Sequence, residues 1–413
     1  MLLTALRVLG RCWPALLAWY LAGWAVRALV IRLAAFVGNA DDLFGLLILP
    51  IAILAQLAAF VGMFLAVRRE LPHLGRVDDV GEGEKAPSAT RRWGETLLAG
   101  ILPFFLLYVA WNFIYQDLID YFSSAFSQAD LLGGGGVAGY NVPISVMSIT
   151  LIVVAFVMRW LLGRFAARLP RWTSGVATYL EAVWVLVALL VIRELLSGVP
   201  QWLATRRMFA WAVDGWAEAR AESGWLDVTG DILGWTLGQV GTLVALPLAW
   251  LAFASIIYFG TMPRSRRPAP SRIARVSERW SRMPVWVRKI GAAISSGVLD
   301  RWGPVALAAR LIWRSGPIAL GTYLLAFAVV TAAGEWLRLV VYRLIGPHDT
   351  GWWYGASDAL QLGVMSVVTV LQVSLVAAAF DHALRSDDAE EIVEDAGDVV
   401  SSAAAPAADS PTN

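Results

Sequence analysis

The chain has 413 residues, of which 58% are apolar and 16% charged, whereas soluble globular domains are about 25% charged, so a soluble domain is excluded and the membrane class fits. No stretch of a hundred residues lacks a long apolar run, which argues for one polytopic body and against a string of soluble domains. A net charge of +1 hides a strong separation of charge along the chain.

A bilayer core takes about 20 apolar residues in helix, and eight such runs occur: 14–36, 43–67, 96–117, 144–162, 176–196, 232–261, 317–337 and 359–380. The predicted fold is therefore all-α, a polytopic membrane protein of about eight transmembrane helices with interfacial amphipathic helices. Residues 1–385 form a single transmembrane domain, followed by an acidic tail at 386–413. The first run follows Arg7 and Arg11 and is too long for a cleaved leader, so it is expected to stay as an anchor.

Basic residues are retained on the cytoplasmic side, and their positions test the threading. With the amino terminus inside and strict alternation, 25 Lys or Arg fall in inner segments and three, Arg206, Arg207 and Arg220, in outer ones. Both termini are then cytoplasmic. Arginine outnumbers lysine 31 to 2, a bias typical of GC-rich bacterial genomes, and the expected location is a bacterial inner membrane. Many of the 21 tryptophans, among them Trp13, Trp111, Trp202, Trp336 and Trp353, sit at or near span ends, where indole prefers the headgroup region.

Between the third and fourth runs Gly133–Gly136 suggest a flexible loop, with neither the Lys-Ser/Thr ending nor the preceding strand of a phosphate cradle. The segment 262–316 carries twelve basic residues and two acidic ones, Glu278 and Asp300. Within it Ile273, Val276, Trp280, Met283 and Val287 recur at helical spacing while Arg272, Arg275, Arg279 and Arg282 take other faces, the pattern of an amphipathic helix on anionic lipid. Its apolar stripe and the lack of a recognition fold argue against nucleic acid. The tail after Arg385 has eight acids and no base, a composition that predicts disorder toward its end and a loose, salt-sensitive contact with the basic segment.

Residues 5–26 resemble 308–329 at an offset of 303, including Arg7/Arg310, Arg11/Arg314, Pro14/Pro317 and Tyr20/Tyr323. This suggests two-span hairpins repeated in parallel.

Ionisable groups inside spans are costly and are the candidates for function. Glu181 lies five residues into the fifth run with no neighbouring counter-charge, toward the inner side. Arg27 and Arg32 stand about 20 and 27 Å along the first helix from Pro14 and are expected to snorkel outward. Glu181, Arg27, Asn112 and Gln56 make up the candidate substrate pathway, and Pro50, Pro103 and Pro247 could mark broken helices beside it. Cys12 stands alone and His73, His348 and His382 lie far apart, so no disulfide framework, metal site or cofactor is expected. No hydrolase, phosphoryl-transfer or metalloprotease motif occurs, and an enzyme is the disfavoured class. The expected activity is permease-like movement of a small solute or lipid; the alternative is a membrane scaffold bound to another membrane protein in an envelope complex.

Overall fold

The computed structural model describes residues 1–74, 113–129, 146–165, 173–207, 241–261 and 316–403, with Tyr108 and scattered positions within 211–239. All regular structure among them is helical: α1 (Leu2–Gly38), α2 (Asp42–Arg68), α3 (Phe113–Gln128), α4 (Val146–Arg164), α5 (Thr173–Ser197), α6 (Val199–Ala204), α7 (Leu246–Thr261), α8 (Pro317–Ile345) and α9 (Thr350–Ala403), with a π-helical turn at Gly241–Ala245 ahead of α7. Five of these helices, α1, α2, α5, α8 and α9, are long and apolar enough to cross a membrane. The chain is an all-α protein of the membrane class.

α1 and α2 form an antiparallel hairpin whose register is fixed by small residues. A Cβ on Gly23 would run into Ala59, one on Gly62 into the Trp19 ring, and one on Gly45 into the backbone at Gly38. The turn between the helices is closed by Asp41, whose carboxylate accepts from the backbone N–H groups of Leu43 (2.9 Å) and Phe44 (3.3 Å), an N-cap for the orphan donors of α2. Pro14 and Pro50 are accommodated inside continuous helices, so Pro50 marks no break.

Two more antiparallel hairpins follow. In α4/α5 the Phe156 and Trp184 rings meet edge to face at 5.6 Å. In α8/α9 a Cβ on Gly334 would strike Val368, and Gln372 donates to the Thr331 hydroxyl at 3.2 Å. The structure is thus built from three helical hairpins, with α3 and α7 packed between and across them.

The amino terminus, the end of α2 and the last spanning turn of α9 gather at one end of the bundle. Arg11 pairs with Glu70 at 2.8 Å. Asp381 accepts from the backbone N–H groups of His73 (3.0 Å) and Leu74 (3.1 Å). Met1 and His382 line the same crevice, of about 10 Å³, room for roughly one water. Above it the core is aromatic, with Phe60, Phe64, Trp250, Phe253, Tyr258 and Phe380 in mutual ring contact.

The course of α5 departs from strict alternation. The Tyr179 hydroxyl donates to the Leu47 carbonyl at 2.8 Å, near the Asp41 end of α2. The Arg193 guanidinium lies 5.1 Å over the Tyr115 ring, two residues from the Asp117 that meets Arg27. α5 therefore starts beside the beginning of α2 and runs the same way, and Glu181 stands toward the end of the bundle opposite the amino terminus, whereas strict alternation of eight spans would put it at the same end. α7 stays in the half that holds the amino terminus: Leu251 shares the crevice of Met1 and His382, the Tyr258 hydroxyl donates to Phe64 O at 3.2 Å, and the Tyr323 hydroxyl donates to Pro247 O at 2.7 Å.

At the carboxyl end α9 is helical through Ala403, and the end of the tail, for which the composition predicts disorder, lies outside the described residues. Beyond Arg385 no proline interrupts until Pro406, and the acids recur without a cluster of turn formers, so nothing local stops the helix. The basic segment with Arg272, Arg275, Arg279, Arg282 and Trp280, as well as Asn112 and Pro103, lies outside the described residues.

Candidate functional site: a buried ion-pair cluster around Arg27

Arg27 sits on a continuous helix, eleven residues before the end of α1, or roughly 16 Å along its axis. Packing of α3 against this half of α1 supplies what the local sequence lacks. Asn39 Nδ2 donates to Ala125 O at 3.0 Å, and the apolar side of α3, Leu118, Tyr121 and Ala125, is fully or almost fully buried. That face brings Asp117 and Asp120, one turn apart, to the guanidinium.

Arg27 Nε donates to Asp117 Oδ1 at 2.7 Å, Nη2 bridges to the same oxygen, and Nη2 also donates to Asp120 Oδ2 at 2.7 Å. The second oxygen of Asp117 accepts from the Tyr108 hydroxyl at 2.5 Å. Asp117 is 3% exposed, whereas the Asp120 side chain keeps 47% of its surface. Arg27 does not snorkel. It is held inward because a guanidinium in a poorly solvated setting is stabilised by paired carboxylates far more than by stretching to the interface.

The cluster joins one cation to two carboxylates, so its formal charge is −1. Asp117 is saturated by Arg27 and Tyr108, while Asp120 offers one oxygen, Oδ1, that accepts from no described residue. Gln56, buried in α2, lies at the level of Arg27, since Gly23 meets Ala59 in the antiparallel register. Two of the four pathway candidates are thereby brought to one level of the first hairpin.

Glu181 belongs to a separate pair. It is 1% exposed, and Arg159 on α4 donates to its Oε2 from Nε (3.2 Å) and Nη2 (3.0 Å). The counter-charge missing from its own helix comes from the preceding one. Asp117, Asp120, Tyr108 and Arg159 all escape a reading of the sequence by spans, because each falls at a span boundary, in a loop or within an apolar run. The i, i+3 spacing of Asp117 and Asp120, facing an unpaired Arg27 in a neighbouring span, was the signal available. Among the described residues no three side chains are grouped to hold a metal ion.

No protein-family model, no curated protein and no solved structure matches the chain.

Proposed function

We propose that the chain is a permease-like protein of a bacterial inner membrane that moves a small solute or lipid, with both termini cytoplasmic and the Arg27 cluster as its polar centre. The observation that carries this reading is the cluster itself: a guanidinium, two carboxylates and a phenol gathered within the level of the first span. Ionisable groups at such depth are expensive and mark substrate or ion pathways. Reconstitution into liposomes tests it, with uptake measured over pools of radiolabelled small solutes and lipid movement followed by fluorescent-lipid exchange. Acceleration of one pool or of the lipid, lost in Asp117→Asn, supports the reading; rates equal to those of empty liposomes with folded protein overturn it.

For the threading, strict alternation of eight spans conflicts with the direction of α5, and we favour six crossings, the three hairpins, with 232–261 entering partway and 96–145 adding no net crossing. Relative to eight spans, this moves Arg159, Arg164, Arg168 and Arg171 out and Arg206, Arg207 and Arg220 in, which leaves 24 basic residues inside and four outside. The inside-positive rule is satisfied almost as well.

A membrane subunit of a larger envelope assembly is the second reading. It is favoured by α8, which leaves Ile318, Leu325, Val329, Trp336 and Leu344 exposed by more than half, and by the densely packed aromatic interior. Extraction in mild detergent as a lone protomer would count against it.

A further inference from the structure

The three hairpins are joined by seams of unequal kind. Within a bilayer, helices gain little from expelling water, so a seam is as strong as its close packing and its polar ties. α1 and α2 close on each other at Gly23, Gly45 and Gly62, and α8 and α9 at Gly334, with the Gln372–Thr331 hydrogen bond beside it. α4 and α5 share the buried Arg159–Glu181 pair. Each hairpin is thus tied within itself. The seam of α5 on α2 is smoother. Ala182, Val185, Leu186 and Leu190, one face of α5, are buried in the core that α2 helps to form. Gly45 and Gly62 of α2 turn toward α1 and α3, however, and Gly175 of α5 meets open space. The Tyr179–Leu47 hydrogen bond near the start of α5 and the Arg193–Tyr115 contact near its end fasten the helix in place. Trp184 lies on this seam, packed both against the main core and against the smaller α4/α5 core of Ala155, Val183, Val187 and Val191. Its indole N–H is buried with no acceptor among the described residues. A stranded buried donor is a cost borne by the present seating of α5, and a shift that brings the N–H to an acceptor relieves it.

We infer that the α4/α5 hairpin moves as a rigid unit over α2, between the seating described and a second one in which the Tyr179 and Arg193 ties are released and the Trp184 N–H is satisfied. Arg193 then leaves Tyr115, two residues from the Asp117 that meets Arg27, so the movement uncovers that flank of the Arg27 cluster. Rigid-body displacement of this kind is what alternating access uses, but the inference goes beyond the permease-like reading and does not rest on it.

The test measures distances between pairs of spin labels by double electron–electron resonance, on the full-length Cys12→Ser protein in nanodiscs of phosphatidylethanolamine and phosphatidylglycerol. Labels go on Cys substituted at exposed positions of one end of the bundle: Arg69 with Leu195 across the seam, Ile149 with Leu195 within the α4/α5 hairpin, and Leu6 with Arg69 within the first hairpin. The expected result is two populations across the seam, separated by at least about 5 Å, and one narrow population for each of the other pairs. Tyr179→Phe, which removes a tie of the present seating, is expected to raise the second population at least about twofold. Trp184→Phe, which removes the stranded donor, is expected to lower it by a similar factor, and Thr322→Ala on α8 to leave it unchanged. The inference is overturned by a cross-seam distribution as narrow as the other two, by equal broadening of all three, or by populations that neither Tyr179→Phe nor Trp184→Phe alters. Two populations without any flux in liposomes uphold the hairpin motion and sink the transport reading alone; flux with a single cross-seam distance does the reverse.

Discussion

Arg159 Nη2 lies 3.0 Å from Glu181 Oε2, and the two residues sit on neighbouring helices twenty-two positions apart. The pair is a polar tie across the α4/α5 hairpin, and it is asymmetric, with the Glu181 side chain 2% exposed and that of Arg159 24%. Breaking a buried pair from one side strands the other charge and costs about 3–5 kcal/mol; the partly open Arg159 reduces this. Glu181→Ala and Arg159→Ala are each expected to destabilise by about 1–3 kcal/mol. The double variant is expected to lose clearly less than the sum, as read by thermal unfolding in detergent micelles. Additive losses would show that the two side chains do not interact.

The first hairpin depends on close approach at Gly23. Gly23→Leu must push α2 away at Ala59, and overpacking of this kind costs about 1–3 kcal/mol or more. Gly10 on the same helix faces open space, so Gly10→Leu is expected to leave the yield of folded protein unchanged while Gly23→Leu lowers it. Size-exclusion profiles of the two variants decide the matter.

Asp381 ties α9 to the chain just after α2. Asp381→Ala leaves the N–H groups of His73 and Leu74 without their acceptor, a loss of about 1–3 kcal/mol for buried groups. The expected outcome is faster tryptic cleavage at Arg76, measured by mass spectrometry of the timed digest, with Asp381→Asn intermediate because an amide oxygen still accepts.

Arg272, Arg275, Arg279 and Arg282 are expected to hold anionic lipid, each contributing about 1 kcal/mol near the surface. Replacing all four by Gln in the full chain is expected to reduce phosphatidylglycerol retention in detergent, with the difference from the parent vanishing in high salt. A salt-independent difference would point to a contact other than charge.

Much of the helical architecture was legible in the sequence because apolar runs of span length have no other stable home. The long first hairpin and the start of α8 at Pro317 follow from composition and position. The partners of Arg27 and Glu181 do not, since Asp117 is 90 residues from Arg27 and no periodicity reports which helices become neighbours. Asp117 read as a span boundary because carboxylates usually sit at the interface, and only the docking of α3 against α1 turns it inward. Direction was hidden for a related reason. A helix apolar on every side fits either way up, and the arginine count is blind to a pair of compensating shifts, so Glu181 could be assigned to the wrong end of the bundle.

The threading of the hairpins is tested most directly by the side on which the α4/α5 connection lies. In a Cys12→Ser background, Phe165→Cys, just past the end of α4, and Leu3→Cys, at the start of α1, can be challenged in intact cells with a membrane-impermeant thiol reagent. Labelling at position 165 with protection at position 3 is the predicted result; protection of both positions, with labelling only after the membrane is opened, would contradict the three-hairpin arrangement.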